Sequence, residues 1–417
     1  MKFILRFKNT FFIWFIISLF MVSCGSNNKN QNTTANKITR NKTKQVTKST
    51  TKNTIIVGAD RFNKYIPLLK NKNIAIVANQ TSTINNNIHL VDYLNNLFPN
   101  KLQKVFAPEH GFRGKADAGE HIKNGVDKKT GLPIISLYGK NKKPSNEQLQ
   151  NIDIMVFDIQ DVGIRFYTYI STLHYIMEAC AENNILLIVL DRPNPNAHYI
   201  DGPLLEKEHK SFVGMHTVPL VYGMTIGEYA KMINGQKWLK NGIQCNLNVI
   251  PLKNYTHQTV YNLPIKPSPN LPNSKAINLY PSLAFFEGTN VSCGRGTEMQ
   301  FQIYGSPFLN KKHTDFQFIP KPNFGAKHPK HNGKVCYGFD LRTKEKLNLL
   351  NLEWLIEAYV NTSNKVDFFN PFFTKLAGTK KLQAQIEQGY TYREIRKTWL
   401  ADLEKFKKVR NQYLIYK

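Results

Sequence analysis

Glu109 and His110 stand side by side in KVFAPEHGFRGKADAGEH, residues 104–121, just after an apolar rise, Val105-Phe106-Ala107, that stops at Pro108. A carboxyl next to an imidazole at the mouth of a buried strand has the parts of a rigidly held proton donor and a group that orients it. Glycines at 111, 114 and 119 let the loop fold close to a ligand. A cleft walled by Phe106 and Phe112 would desolvate the charged carboxylate, raise its pKa and suit Glu109 to general acid catalysis. The competing reading is a structural ion pair between Glu109 and Arg113.

Asp158-Ile159-Gln160-Asp161 follows another apolar run, and Arg165 and Tyr167 come next. Two acids and an amide within four residues exceed what a turn cap needs. Asp191, Arg192, Asn194 and Asn196 follow a third run. A Gly-rich loop, GTNVSCGRGTE (288–298), carries Asn290, Arg295 and Glu298. Carboxylates, amides and arginines, with Tyr138, Tyr167, Tyr169 and Tyr222 able to stack on pyranose faces, describe a sugar site. His110 and His121 could bind a metal with Asp117 or Asp161, but such spacing occurs by chance, and no metal site is expected. GxGxxG after the first strand, GxxxxGK[ST], GxSxG and HExxH are all absent. That argues against a dinucleotide site, a P-loop, a nucleophile-elbow serine and a zincin, and no cofactor is expected.

These groups need a frame. Short, continuous apolar runs at 54–57, 74–77, 104–106, 133–137, 152–157 and 185–190 alternate with longer amphipathic stretches. Unbroken runs suit strands buried on both faces. The spacing of Ile170, Leu173, Met177 and Cys180 predicts a helix over 169–183. The alternation predicts an α/β fold with a Rossmann-like, doubly wound parallel sheet, where ligands sit beyond the carboxyl ends of the strands. Glu109, Asp158 and Asp191 each follow such a run. Further on, Thr225 and Glu228 form a capping box for a helix over 225–239, and 247–252 reads as a strand. LPIKPSPNLPNS (263–274) reads as an extended crossing into a second, smaller mixed α/β domain. There, 285–286, 298–304 and 337–341 read as strands, and 349–360 and 391–413 as helices, the last opened by Thr391 and Glu394. The expected division is an N-terminal catalytic domain over 54–275 and a C-terminal domain over 276–417 that completes the cleft.

The 417 residues carry a net charge of +27, and 41% are hydrophobic, enough for two packed domains. Residues 25 to 54 hold seven Lys or Arg and no acid. Few apolar residues occur there, so 24–53 reads as a disordered basic tether. Charge of this kind follows the Asn- and Lys-rich composition, and no nucleic-acid partner is expected. Lys2, Arg6 and Lys8 precede FFIWFIISLFMV, a run shorter than the roughly 20 residues of a membrane span. Met21-Val22-Ser23-Cys24 resembles a bacterial lipobox. Residues 1–23 are therefore expected to be a lipoprotein-type signal peptide, and Cys24 an acylated residue holding the protein to a membrane of the cell envelope, on the periplasmic side. Cys180, Cys245, Cys293 and Cys336 lie far apart and are expected to be buried thiols.

PEHGFRG, FDIQDVGIRFYTY, DRPNPN with DGP, PSPNLP and EGTNVSCGRGTE occur in that order. On them the chain, from about residue 55 onward, resembles the bacterial exo-β-N-acetylmuramidase family. The resemblance implies a Rossmann-like N-terminal domain, a smaller C-terminal domain and an active cleft between them. It implies release of N-acetylmuramic acid from the non-reducing end of peptidoglycan fragments, with muropeptides or disaccharides as partners. The Glu of the PEHG motif falls on Glu109, the implied catalytic acid. His110 and Asp161 are counted with it as catalytic, and Asp158, Asp161 and Glu298 all stay open as the second catalytic carboxyl. Substrate contacts are expected from Arg113, Asp158, Gln160, Arg165 and Tyr167, and from Asn194, Asn270, Asn290, Arg295 and Glu298. A lactyl carboxylate wants a guanidinium fork, which Arg113, Arg165 or Arg295 would supply. Two other readings compete: a cell-wall hydrolase cutting an amide or ester bond, and a non-catalytic peptidoglycan-binding lipoprotein.

Overall fold

The apolar runs assemble into a seven-stranded sheet. Its strands are β1 (Ile74–Ala78), β2 (Leu102–Ala107), β3 (Gly125–Val126), β4 (Pro133–Ser136), β5 (Ile154–Asp158), β6 (Leu186–Leu190) and β7 (Leu247–Ile250). Their spatial order is β3-β4-β2-β1-β5-β6-β7, parallel throughout except for the edge pair β3-β4. The computed structural model describes residues 54–416 apart from 86 and 115–123. The expected signal peptide and tether, with Cys24, Asp117 and His121, lie outside the described residues.

Successive side chains of a strand point to opposite faces. Ala75, Val77, Met155, Phe157, Leu187 and Val189 enter one interior, and Ile74, Ile76, Val156, Ile188 and Leu190 enter the other. The helices Tyr169–Glu182 and Ile226–Gly235 add residues such as Leu173, Met177 and Tyr229 to the first interior. Phe62–Leu69 and Leu90–Leu97 add Tyr65, Leu69, Leu90 and Leu94 to the second. Covering on both faces is why the strands read as unbroken apolar runs. The order of connection reverses at β1, which lies between β2 and β5. In doubly wound sheets that switch point opens a crevice at the strand ends.

The first interior does not stop at residue 275. It runs on through Phe285, Phe286, Phe373, Leu376, Leu403 and Phe406, and the described residues pack as one compact unit. The C-terminal part carries an antiparallel sheet of β8 (Ile303–Ser306), β9 (Phe316–Phe318) and β10 (Cys336–Asp340), with β10 in the middle.

Three local expectations change. Residues 54–57 make a single bridge, Ile56 with Lys253, because the next amide, Gly58 N–H, turns to Asp191 O at 2.8 Å. Phe285-Phe286 lies in a 3-10 turn, Ala284–Gly288, that continues the helix Ser274–Leu283 and buries both rings. The stretch 391–413 breaks into Tyr392–Lys397 and Leu400–Arg410. Trp399 sits at the break, and its indole N–H donates to the buried Asp201 Oδ1 at 3.1 Å. Both capping boxes form, at Thr225 with Glu228 and at Thr391 with Glu394. Cys180, Cys245, Cys293 and Cys336 are buried and unbridged.

Candidate active site

β2 ends at Ala107, and Pro108 opens a tight turn in which Gly111 N–H donates to Pro108 O at 3.0 Å. His110 holds φ at +71° there, a left-handed conformation that residues with side chains seldom adopt. Glu109 and His110 both line a cavity of about 320 Å³, within the size range of small-ligand pockets. Tyr138 follows β4, and Phe166, Tyr167 and Thr168 precede the helix Tyr169–Glu182. The Pro-rich segment brings Ser268, Asn270 and Leu271. From beyond residue 275 come Tyr280, Glu287, Arg295, Phe301 and Phe372. The expected wall of Phe106 and Phe112 is not there. Phe106 is buried in the first interior, and Phe112 packs edge-on to His89 at 5.0 Å in the second. Phe166, Phe212, Phe301 and Phe372 supply the apolar wall instead.

The Glu109 carboxyl is held by a hydroxyl. Thr168 Oγ1 donates to its Oε2 at 2.7 Å. The Tyr138 phenol lies beside the same carboxylate, and burial followed by that negative charge raises the phenol pKa well above its ordinary value. The Tyr169 hydroxyl lies 3.5 Å from Glu109 O and accepts from Asn79 Nδ2 at 2.9 Å, so the end of β1 braces the turn after β2. Tyr167 and Tyr169 both reach Pro267 O, at 2.9 and 3.3 Å, and clamp the Pro-rich segment over the strand ends.

Asn270 Nδ2 donates to Gly325 O at 2.6 Å, which fixes the amide. Its Oδ1 is buried with no hydrogen-bond partner among the described residues. A ligand N–H or O–H would satisfy it. Gly325 has φ +101°, and a Cβ there would meet Pro269 Cβ at 2.8 Å, so glycine is needed to bring its carbonyl this close. Arg295 Nη1 donates to Glu287 Oε1 at 2.9 Å, and Nη2 to Gly325 O at 3.2 Å.

Other expected site residues lie elsewhere. Arg113 pairs with Asp127 at 2.7 Å and with Asp92 at 2.9 Å, and it pulls the Asp127 carboxyl down to about 2. Arg165 is fully buried, and its guanidinium donates to the carbonyls of Pro203, Val218, Leu376 and Ala377. Asp158 is fully buried in a two-point ion pair with Arg192, at 2.6 and 2.8 Å. Gln160 Nε2 donates to Asp161 O and Pro193 O. Asn194 closes a local turn with Asn196 and donates to Met224 O at 2.8 Å. Asn290 Nδ2 donates to Asn364 O at 3.2 Å, and Glu298 is exposed. The cavity thus gathers Glu109, His110, Tyr138, Tyr167, Asn270 and Arg295 from the sequence reading. It adds Glu287, which that reading missed although Glu287 begins the EGTN motif.

Asp161 is buried and does not line the cavity; Tyr222 Oη and Gly163 N–H both donate to its Oδ2. Burial raises its carboxyl to about 6, against those hydrogen bonds. A carboxyl with a folded pKa above its unfolded one binds its proton more tightly when folded. Its contribution is full below about 4 and is lost as pH rises through about 6. Asp161→Asn lacks this dependence. Relative to wild type, the variant is expected to gain up to about 3 kcal/mol between pH 4 and pH 8. Urea unfolding of both proteins at the two pH values measures it, and parallel stability curves would refute it.

A sheet-end carboxyl held by a hydroxyl inside an aromatic-walled cavity marks an α/β protein with a cleft of small-ligand size. Residues 74–275 match the N-terminal domain, and 278–416 the C-terminal domain, of the exo-beta-N-acetylmuramidase NamZ family. The chain belongs to that family and is a glycoside hydrolase. It is 38% identical over 374 residues to the peptidoglycan beta-N-acetylmuramidase NamZ of Bacillus subtilis (strain 168), covering 84% of this chain and 89% of that protein. Two DUF1343 family proteins from Bacteroides fragilis NCTC 9343 share the fold. One has TM-score 0.80 at 46% identity and the other 0.74 at 28%, each alignment covering 87% of this chain and 99% of that one.

Proposed function

We propose that this chain releases N-acetylmuramic acid from the non-reducing end of peptidoglycan fragments, with Glu109 as general acid. The observation that carries the reading is the Glu109 carboxyl in the cavity, held by Thr168 with the Tyr138 phenol beside it. The peptidoglycan activity named for the Bacillus relative supports the choice of substrate. A glycosidic oxygen needs a proton as its bond to the sugar breaks. Glu109 supplies that proton, and Thr168 keeps the carboxyl in one orientation. Among the three candidate arginines only Arg295 lines the cavity, so it takes the lactyl carboxylate through a charge-assisted bond. Asn270 Oδ1 accepts from the acetamido N–H or a ring hydroxyl. The two sides of the cleft come from before and after residue 275.

The test is a pair of disaccharides of N-acetylmuramic acid and N-acetylglucosamine in opposite order. Free N-acetylmuramic acid is expected only where it stands at the non-reducing end, at a rate a chelator does not change. Turnover of the reversed disaccharide alone, or cleavage of an amide or ester bond in its place, would overturn the reading.

A further inference from the structure

A carboxylate already sits on the guanidinium just assigned to the lactyl group. Arg295 Nη1 and Glu287 Oε1 are 2.9 Å apart, both residues line the cavity, and each side chain is about a quarter exposed, 26% and 24%. The rest of the arrangement is held independently of this pair. Arg295 Nη2 stays on Gly325 O. Around Glu287, Lys330 Nζ donates to the carbonyls of Phe286, Thr289 and Val291, and Asn370 N–H donates to Gly288 O at 2.9 Å. The loop therefore keeps its course whether or not Glu287 holds the arginine.

We propose that Glu287 tunes the anion subsite: in the resting enzyme it holds Arg295, and it competes for that guanidinium with the carboxylate of a muramic sugar, so that the acidic product is held loosely enough to leave. The inference rests on the assignment of Arg295 to the lactyl group. A neutral sugar cannot replace one anion by another, so it leaves the pair closed and gains no charge-assisted bond. A muramic sugar exchanges one carboxylate for another on the same fork. Two carboxylates beside one guanidinium repel each other, so Glu287 also weakens the hold on the acidic product and helps it leave. This balance differs from that of a bare arginine, which would hold the product more tightly.

Calorimetric titration of the full chain tests it, with N-acetylmuramic acid and N-acetylglucosamine as probes. Glu287→Gln keeps the shape and removes the charge. It is expected to bind the acid roughly tenfold more tightly than wild type does, with the neutral sugar within about twofold. Glu287→Ser gives the same direction if the amide disturbs the loop. Arg295→Met is expected to lose the preference for the acid. If Arg295→Met loses that preference but neither Glu287 variant tightens the acid, the competition is overturned and the arginine assignment stands. If Arg295→Met keeps the preference, the assignment falls and the competition falls with it.

Discussion

Glu109→Gln is expected to cut turnover of the muramic disaccharide by about 100- to 10,000-fold, with KM little changed. The substitution keeps volume and shape. An amide oxygen accepts the Thr168 Oγ1 bond that Oε2 now takes at 2.7 Å, and a tyrosine hydroxyl such as Tyr138 can face either an amide oxygen or an amide N–H. The amide has no proton to give, so the effect falls on bond breaking and not on binding. The leaving group decides how much of the loss appears. An activated aryl glycoside departs without a proton, and its turnover should fall far less than that of the natural sugar. Steady-state kinetics on both substrates measure this difference. A variant that releases N-acetylmuramic acid from the disaccharide at near wild-type rate would remove Glu109 from the mechanism and leave Glu287 as the cavity's other carboxylate.

The parts of this protein that could be read from its sequence are those fixed by local rules. Continuous apolar runs marked the strands, because both faces of the sheet are covered. The rule that ligands sit at carboxyl ends of parallel strands brought out Glu109, His110, Tyr138 and Tyr167, and all four line the cavity. The same rule said nothing about which way a polar side chain turns. Asp158 ends β5 and Arg165 follows it, yet both are fully buried. The Arg165 partners stand 38, 53, 211 and 212 residues away along the chain, so no local pattern announces them. Gly378 belongs to the same arrangement: with φ +73°, it comes so near that a Cβ there would meet Arg165 Nη2 at 2.6 Å. Glu287 was hidden for a different reason. Its two preceding phenylalanines read as a strand, whereas the 3-10 turn buries them and leaves Glu287 facing Arg295.

Asp158→Asn is expected to cost about 3–5 kcal/mol of folding stability, because it strands a buried cation. Arg192 meets Asp158 at both carboxylate oxygens, from Nε at 2.6 Å and Nη2 at 2.8 Å, and Nη2 also donates to Thr83 O at 3.0 Å. The pair ties the carboxyl end of β5 to the residue just past β6 and to the turn after β1. Burial pushes the Asp158 carboxyl up while the guanidinium opposes it, so neither charge is comfortable alone. An asparagine there turns an N–H₂ toward a guanidinium nitrogen and gives two donors no acceptor. Replacing both charges, with Asp158→Leu and Arg192→Met, removes the desolvation burden together with the attraction. The double variant should therefore be less damaged than the sum of its singles. Urea unfolding of the three proteins gives that coupling, and single variants within about 1 kcal/mol of wild type would mean the pair does not hold these strand ends. Kinetics of the folded Asp158→Asn protein separate this from a role in substrate binding. Asp158 does not line the cavity, so KM should stay near wild type, and a large rise in KM with stability intact would return Asp158 to the site.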